Sequence, residues 1–166
     1  MMTKNFKISI VTVTKNSEKF LQENIDSLEN QTYKNFEHII VDGASTDNTL
    51  EIIKANSNKI AKWISEPDQG LYYAMNKGLK LCSGDIVGIL NSDDKYSPEA
   101  FSIVNNYFQR NNIDFLFGSV FKHKLMHGFY PKKIFWTFGF YTTHSVGFFI
   151  NKASQDKIGL YNTKYK

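Results

Sequence analysis

Two adjacent carboxylates, Asp93 and Asp94, close the segment Ile86-Val87-Gly88-Ile89-Leu90-Asn91-Ser92-Asp93-Asp94. The apolar run before them reads as a buried strand. The pair therefore falls just past the carboxyl end of a strand, where an open α/β sheet places its ligands. Two neighbouring carboxylates repel each other and are costly to hold near apolar surroundings without a cation between them. A divalent metal carrying a diphosphate meets that need, because hard cations take oxygens from carboxylates and phosphates together. A solvated acidic turn that caps the next helix is the plainer reading of the same residues.

Three other polar clusters occupy equivalent places. Thr12, Thr14, Lys15 and Asn16 follow the first predicted strand. Asp42, Gly43, Ser45, Thr46 and Asp47 follow the second, and Glu66, Pro67, Asp68, Gln69 and Gly70 the third. Each has a local explanation as a turn, cap or loop. Jointly, four polar loops on one edge of a parallel sheet describe a ligand cleft. The chain has no G-x-G-x-x-G after its first strand and no G-x-x-x-x-G-K-[ST]. A nucleotide bound here is therefore not held mainly by a glycine-rich loop, which leaves a metal held by carboxylates.

The elements that must position these loops alternate strand and helix. Ile8 to Val13 is β-branched and reads as a buried strand. Ser17 is a candidate cap for a helix bearing Leu21, Ile25 and Leu28 at helical spacing. Phe36 to Val41 is a second strand, and Ser45 or Thr46 is expected to cap a helix with Leu50, Ile52 and Ile53. Ile60 to Ile64, Asp85 to Leu90 and Phe115 to Val120 are further predicted strands. Helices are predicted over Leu71 to Leu81, closed by Ser83-Gly84, and after Ser97-Pro98-Glu99. Residues 121–143 are aromatic and irregular, 145–150 read as a strand, and Asn151 to Ile158 as a short helix. The alternation predicts an α/β fold, a mostly parallel sheet with helices on both faces.

At 166 residues the chain is long enough for one domain. A hydrophobic content of 42% with 22% charged residues is that of an ordinary globular protein. The lone cysteine, Cys82, can form no internal disulfide, which fits a cytoplasmic setting. The start runs straight into a strand, with no signal-peptide pattern, and no apolar stretch is long enough to span a bilayer. The net charge is +4, from scattered lysines, which argues against nucleic acid as a partner. Lys122, Lys124, Lys132 and Lys133 interleave with aromatic residues. That stretch reads either as a folded aromatic core with a basic edge or as a surface for an anionic membrane.

These residues resemble glycosyltransferase family 2, with its GT-A (Rossmann-like) nucleotide-sugar-binding fold, of the kind used in bacterial surface polysaccharide biosynthesis. The resemblance is carried by Ser9 to Asn16, Gln31 to Glu37, Ile40 to Thr49, Ser65 to Gly78 and Leu90 to Asp94, in the family's order. It implies a single nucleotide-sugar-binding domain over 1–166, with 1–120 as the donor-binding half and 121–166 as the start of the acceptor half. It implies that Thr12, Thr14, Asn16, Asp42, Asp68, Asn76 and Asp93 bind the donor, Asp42 accepting a hydrogen bond from the base. Asp94, with Asp93, would ligate Mg²⁺ or Mn²⁺ bridging the diphosphate. Asn91 stands at the first position of the family's D-x-D, which moves the metal onto the two aspartates.

The same resemblance implies an inverting transfer from a UDP- or GDP-sugar to a saccharide or lipid-linked acceptor. His144 would lie on the acceptor side. The family's base follows a stretch matched here by Gly159-Leu160-Tyr161-Asn162-Thr163-Lys164-Tyr165, so it is expected beyond Lys166, in a longer enzyme. Work in the cytoplasm, peripheral association with the inner membrane face and a homodimer are further expectations. Two other readings stay open: a nucleotidyltransferase, and a non-catalytic nucleotide-sugar-binding domain or assembly subunit.

Overall fold

The computed structural model describes residues 5–122, 124–126 and 145–164. Its centre is β1 (Ile8–Thr14), buried at all seven positions. Such a strand needs apolar cover on both faces, and its alternation supplies it. Ile8 and Ile10 join a core with Leu28, Phe101, Val104 and Phe149, while Val11 and Val13 join one with Ala74, Met75 and Leu79. Side chains of odd and even residues on a strand point to opposite faces.

The other sheet strands are β2 (Phe36–Asp42), β3 (Lys62–Ser65), β4 (Ile86–Asn91), β5 (Phe115–Phe117) and β8 (Phe148–Asn151). Their order is β3-β2-β1-β4-β8-β5. The first four run parallel, and β8 runs antiparallel to both β4 and β5. A separate hairpin pairs β6 (Val120–Lys122) with β7 (Lys124–Met126). The helices are α1 (Leu21–Glu29), α2 (Thr49–Ala55), α3 (Leu71–Leu81), α4 (Ala100–Arg110) and α5 (Lys152–Ile158). Helices α1, α2 and α4 cover one face and α3 the other. This is the mostly parallel α/β sheet, covered on both faces, that the sequence predicts.

The differences have local causes. The predicted strand over 145–150 divides into a 3₁₀ turn, Ser145–Gly147, and β8. The predicted strand over 115–120 stops at Phe117. At both breaks the chains meet through glycines: Gly118 N donates to Gly147 O at 2.7 Å, and a Cβ on Gly147 would lie 2.9 Å from Gly118 O. Ser17 and Ser45 or Thr46 do not cap their helices; the N-cap positions of α1 and α2 are Phe20 and Asn48, with no cap bond from those side chains. Asp47 instead accepts from Thr49 N at 3.0 Å. Helix α3 ends where Ser83 N is drawn to Glu37 Oε1 at 2.6 Å.

No helix among the described residues is long and apolar enough to cross a membrane. His144 and most of the basic, aromatic stretch lie outside the described residues.

Candidate functional site

Register places the last rungs of the parallel strands side by side. Asn91 of β4 pairs with Val13, Thr14 of β1 with Asp42 of β2, and Asp42 with Ser65 of β3. The four polar loops therefore leave one edge of the sheet, and hydrogen bonds tie them together. Gly43 N donates to Thr14 O at 2.9 Å, and Glu66 N to Asp42 O at 3.0 Å. Asn16 N donates to Ser45 Oγ at 2.8 Å, and Thr46 N returns a bond to Asn16 Oδ1 at 2.8 Å. Asn16 holds a left-handed backbone (φ 52°), a conformation asparagine tolerates better than most residues. Ser17 Oγ meets Ser92 Oγ at 2.8 Å, linking the first loop to the acidic turn.

Asp42 lies at the middle of this edge and is fully buried. Its Oδ2 accepts from Ser45 N at 3.1 Å and from Ser65 Oγ at 2.6 Å, and its Oδ1 accepts from Ser45 Oγ. A carboxylate offers about four lone-pair directions, so roughly one is left for a ligand. Thr14, its register partner, is also buried, and its Oγ1 has no hydrogen-bond partner. A buried hydroxyl without a partner is costly and points to a group that completes it.

Asp68 closes the third side. Its Oδ1 accepts from Gly70 N at 3.0 Å, and its Oδ2 lies over Gly43, where a Cβ would stand only 2.8 Å away. Gly43 is thus required for close approach of the loops after β2 and β3. Asn76 is elsewhere. On α3, its Nδ2 donates to Tyr161 O at 2.9 Å and its Oδ1 accepts from Tyr161 N at 2.8 Å. Tyr72 packs on Tyr161, ring centroids 5.7 Å apart. The side chain of Asn76 therefore clamps the segment after α5.

Thr12 is also set apart from the edge. It shares the parity of Ile8 and Ile10, is fully buried, and its Oγ1 lies 2.9 Å from His38 Nε2 and 3.3 Å from Asn24 Oδ1. Burial lowers the His38 pKa to about 3, so the ring is neutral.

The acidic turn closes through Asp94 N donating to Asn91 O at 3.0 Å. Asn91 Nδ2 donates to Asp94 Oδ2 at 3.1 Å and to Ser145 Oγ at 3.2 Å. Asn91 thus orients the carboxylate of Asp94, three residues on. Asp93 is exposed and Asp94 half-buried. Among the described residues no cluster of three or more histidines, cysteines or acids is placed to hold a metal. Two carboxylates fit a cation that keeps waters and takes its remaining ligands from phosphates, the habit of Mg²⁺ and similar ions.

Beside the turn, a cavity of about 970 Å³ runs between α4, β5 and the Ser145–Gly147 turn. Tyr96 is half-buried there against Phe101 and Phe149, and its buried hydroxyl has no partner. Burial, and then the charge of Asp94, raise the Tyr96 pKa. Sequence reasoning did not identify Asn24, His38, Ser65 or Tyr96. Asn24 alone carries a readable signal, a polar residue between Leu21 and Leu28 on the buried stripe of α1.

The sheet order and the ligand edge define an α/β domain of the GT-A type, shared with solved glycosyltransferase structures. The chain belongs to glycosyl transferase family 2, whose model matches residues 9–162. It is 29% identical over 116 residues to the Escherichia coli UDP-Glc:alpha-D-GlcNAc-diphosphoundecaprenol beta-1,3-glucosyltransferase WfgD, covering 69% of this chain and 46% of that protein. It is similar to residues 1–349 of S. aureus TarS, solved in complex with UDP-GlcNAc (TM-score 0.75, 23% identity, 94% of this chain and 48% of that one). It also resembles the Pyrobaculum calidifontis mannosyltransferase PcManGT, solved with GDP-Man and Mn²⁺ (TM-score 0.73, 18% identity, 97% and 49%). The chain spans less than half the length of the curated relatives it matches.

Proposed function

We propose that this chain binds the donor of a metal-dependent, inverting glycosyltransferase that takes sugar from a UDP- or GDP-sugar. The observation that carries the reading is the alignment of an orphaned Thr14 hydroxyl, the Asp42 carboxylate and the Asn91–Asp94 turn along one sheet edge. Neighbouring strands lie about 4.8 Å apart, so β2 and β4 separate their ends by roughly 10 Å. That span suits a nucleoside at the Asp42 end and a diphosphate at the acidic end.

In this reading Asp42, Thr14 and Asn16 hold the nucleoside, and Asp68 lines the donor pocket beside Gly43. Asp94, oriented by Asn91, and Asp93 would hold Mg²⁺ or Mn²⁺. A divalent ion there supplies charge neutralisation to the departing diphosphate. The acceptor hydroxyl attacks the anomeric carbon from the opposite face, displacing the nucleoside diphosphate. Residues 1–120 form the donor-binding half, and no described residue is assigned the acceptor's proton. Support for the donor class comes from the UDP-GlcNAc and GDP-Man complexes of the structural neighbours. Support for a lipid-linked acceptor comes from WfgD, whose acceptor is a GlcNAc-diphosphoundecaprenol.

Calorimetric titration with UDP and GDP, with and without Mn²⁺, tests the reading. One nucleotide should bind, and Mn²⁺ should tighten it. Failure of both nucleotides to bind would contradict the donor site, and binding indifferent to Mn²⁺ would contradict the metal role.

A further inference from the structure

Asn24 is polar, fully buried and placed on the apolar stripe of α1. Its Nδ2 donates to Asn91 O and to Asp94 O, each at 2.9 Å. Those two carbonyls bracket the acidic turn. Carbonyl oxygens only accept, so the amide nitrogen must face them and Oδ1 must face Thr12. Thr12 Oγ1 then donates to Asn24 Oδ1 at 3.3 Å. With its single proton so placed, the hydroxyl accepts from His38 Nε2–H at 2.9 Å. The neutral, buried ring of His38 takes the tautomer that supplies this proton. A run of donors therefore starts on β2, crosses β1, and ends on the backbone that presents Asp93 and Asp94.

We infer that Asn24 is a positioning residue for the acidic turn: it fixes the backbone from Asn91 to Asp94, and with it the divalent-cation affinity of Asp93 and Asp94, while Thr12 and His38 fix Asn24. The inference rests on the proposed reading of that turn as the metal site. The side chain requirement is narrow. Aspartate cannot donate to the two carbonyls, leucine removes both donations, and a partly buried acceptor that loses a donor is costly. Helix α1 also meets the turn through Glu23 and Lys95 at 2.6 Å, but that pair is exposed and holds little.

The test uses the full chain with Asn24→Ala, Thr12→Val and Asp94→Ala. Mn²⁺ is titrated by electron paramagnetic resonance in saturating UDP, and UDP is titrated separately in EDTA. Groups that orient metal ligands typically set affinity by about 10–100-fold, and Asn24→Ala should weaken Mn²⁺ by about tenfold or more. Thr12→Val, which keeps the volume, should weaken it less but in the same direction. UDP affinity in EDTA should stay at the wild-type value in both. If Asp94→Ala loses Mn²⁺ while Asn24→Ala keeps wild-type affinity, the inference is overturned and the metal reading stands. If Asp94→Ala itself binds Mn²⁺ like wild type, the metal reading is what fails. A parallel fall of UDP affinity in EDTA would make the role merely structural and overturn it too. Should Asn24→Ala not fold, an unchanged Mn²⁺ affinity in Thr12→Val overturns it instead.

Discussion

Gly43→Ala probes the convergence of the loops directly. The added Cβ would stand 2.8 Å from Asp68 Oδ2, 3.4 Å from Lys15 Cδ and 3.5 Å from Asp68 Cγ. Ordinary contact starts at 3.4 Å, so the carboxylate must retreat by about 0.6 Å, the difference of 3.4 and 2.8. Overpacking that cannot relax costs about 1–3 kcal/mol. Here the obstacle is the end of a side chain, and it can move. Its Oδ1 holds Gly70 N at 3.0 Å, in a turn where Gly70 has φ 132°. The expected stability loss is therefore about 1 kcal/mol, the worth of that one hydrogen bond. The loop between β3 and α3 shifts with Asp68, and UDP affinity should fall about tenfold, or ~1.4 kcal/mol. Urea denaturation and UDP calorimetry on Gly43→Ala, Asp68→Ala and the double variant measure both effects. Because the two residues touch, the double variant should bind UDP like Asp68→Ala alone. Additive losses, or an unchanged UDP affinity in Gly43→Ala, would refute the reasoning.

Gly78→Ala should be far worse for folding, because its Cβ would lie 2.2 Å from Val11 Cγ1 where α3 crosses β1; thermal melts should show a loss of about 3 kcal/mol or more, partly restored by Val11→Ala. Glu37 should govern the acid limb of stability. Burial opposes its charge, but Lys7, Ser9 and Ser83 donate to it and hold its pKa down from 4.5 to about 2. A depressed carboxyl stabilises above its unfolded value, so this contribution is present above pH 4.5 and lost as pH falls from 4.5 towards 2. The full depression corresponds to about 3 kcal/mol, and screening at the partly exposed Lys7 reduces that to about 2; Glu37→Gln should flatten the acid limb by that amount, and parallel limbs would contradict it. Asn76→Ala removes both bonds to Tyr161 and should free that segment at a cost of about 2 kcal/mol, read as faster amide exchange at Tyr161 with the exchange of β1 unchanged.

The fold was legible where one period dominates. The β-branched runs of β1, β2 and β4 and the helical spacing of Leu21, Ile25 and Leu28 needed no tertiary knowledge. The clustering of four loops was legible too, because a parallel sheet sends every carboxyl end to one edge. The breaks at Gly118 and Gly147 were not, since they arise from two distant backbones meeting. Ser17 and Ser45 read as caps by local chemistry, yet their hydroxyls are drawn into bonds between loops, Ser17 with Ser92 and Ser45 accepting from Asn16 N. The resemblance puts Thr12 with the donor, but its hydroxyl is taken up by His38 and Asn24, whereas that of Thr14, on the same face of β1, is not. The family match puts Asn76 with the donor, and in the fold its amide holds Tyr161, a partner 85 positions away that no local pattern indicates.

The central claim is that a nucleoside diphosphate lies along the edge from Asp42 to Asp94 with a divalent ion at the acidic end. A crystal of the chain soaked in UDP and Mn²⁺, measured for the anomalous signal of manganese, tests it most directly. The account predicts an anomalous peak within ligand distance of Asp94 and a diphosphate oxygen, with the base beside Asp42. A peak elsewhere, or UDP bound at that edge with no manganese at the turn, would contradict it.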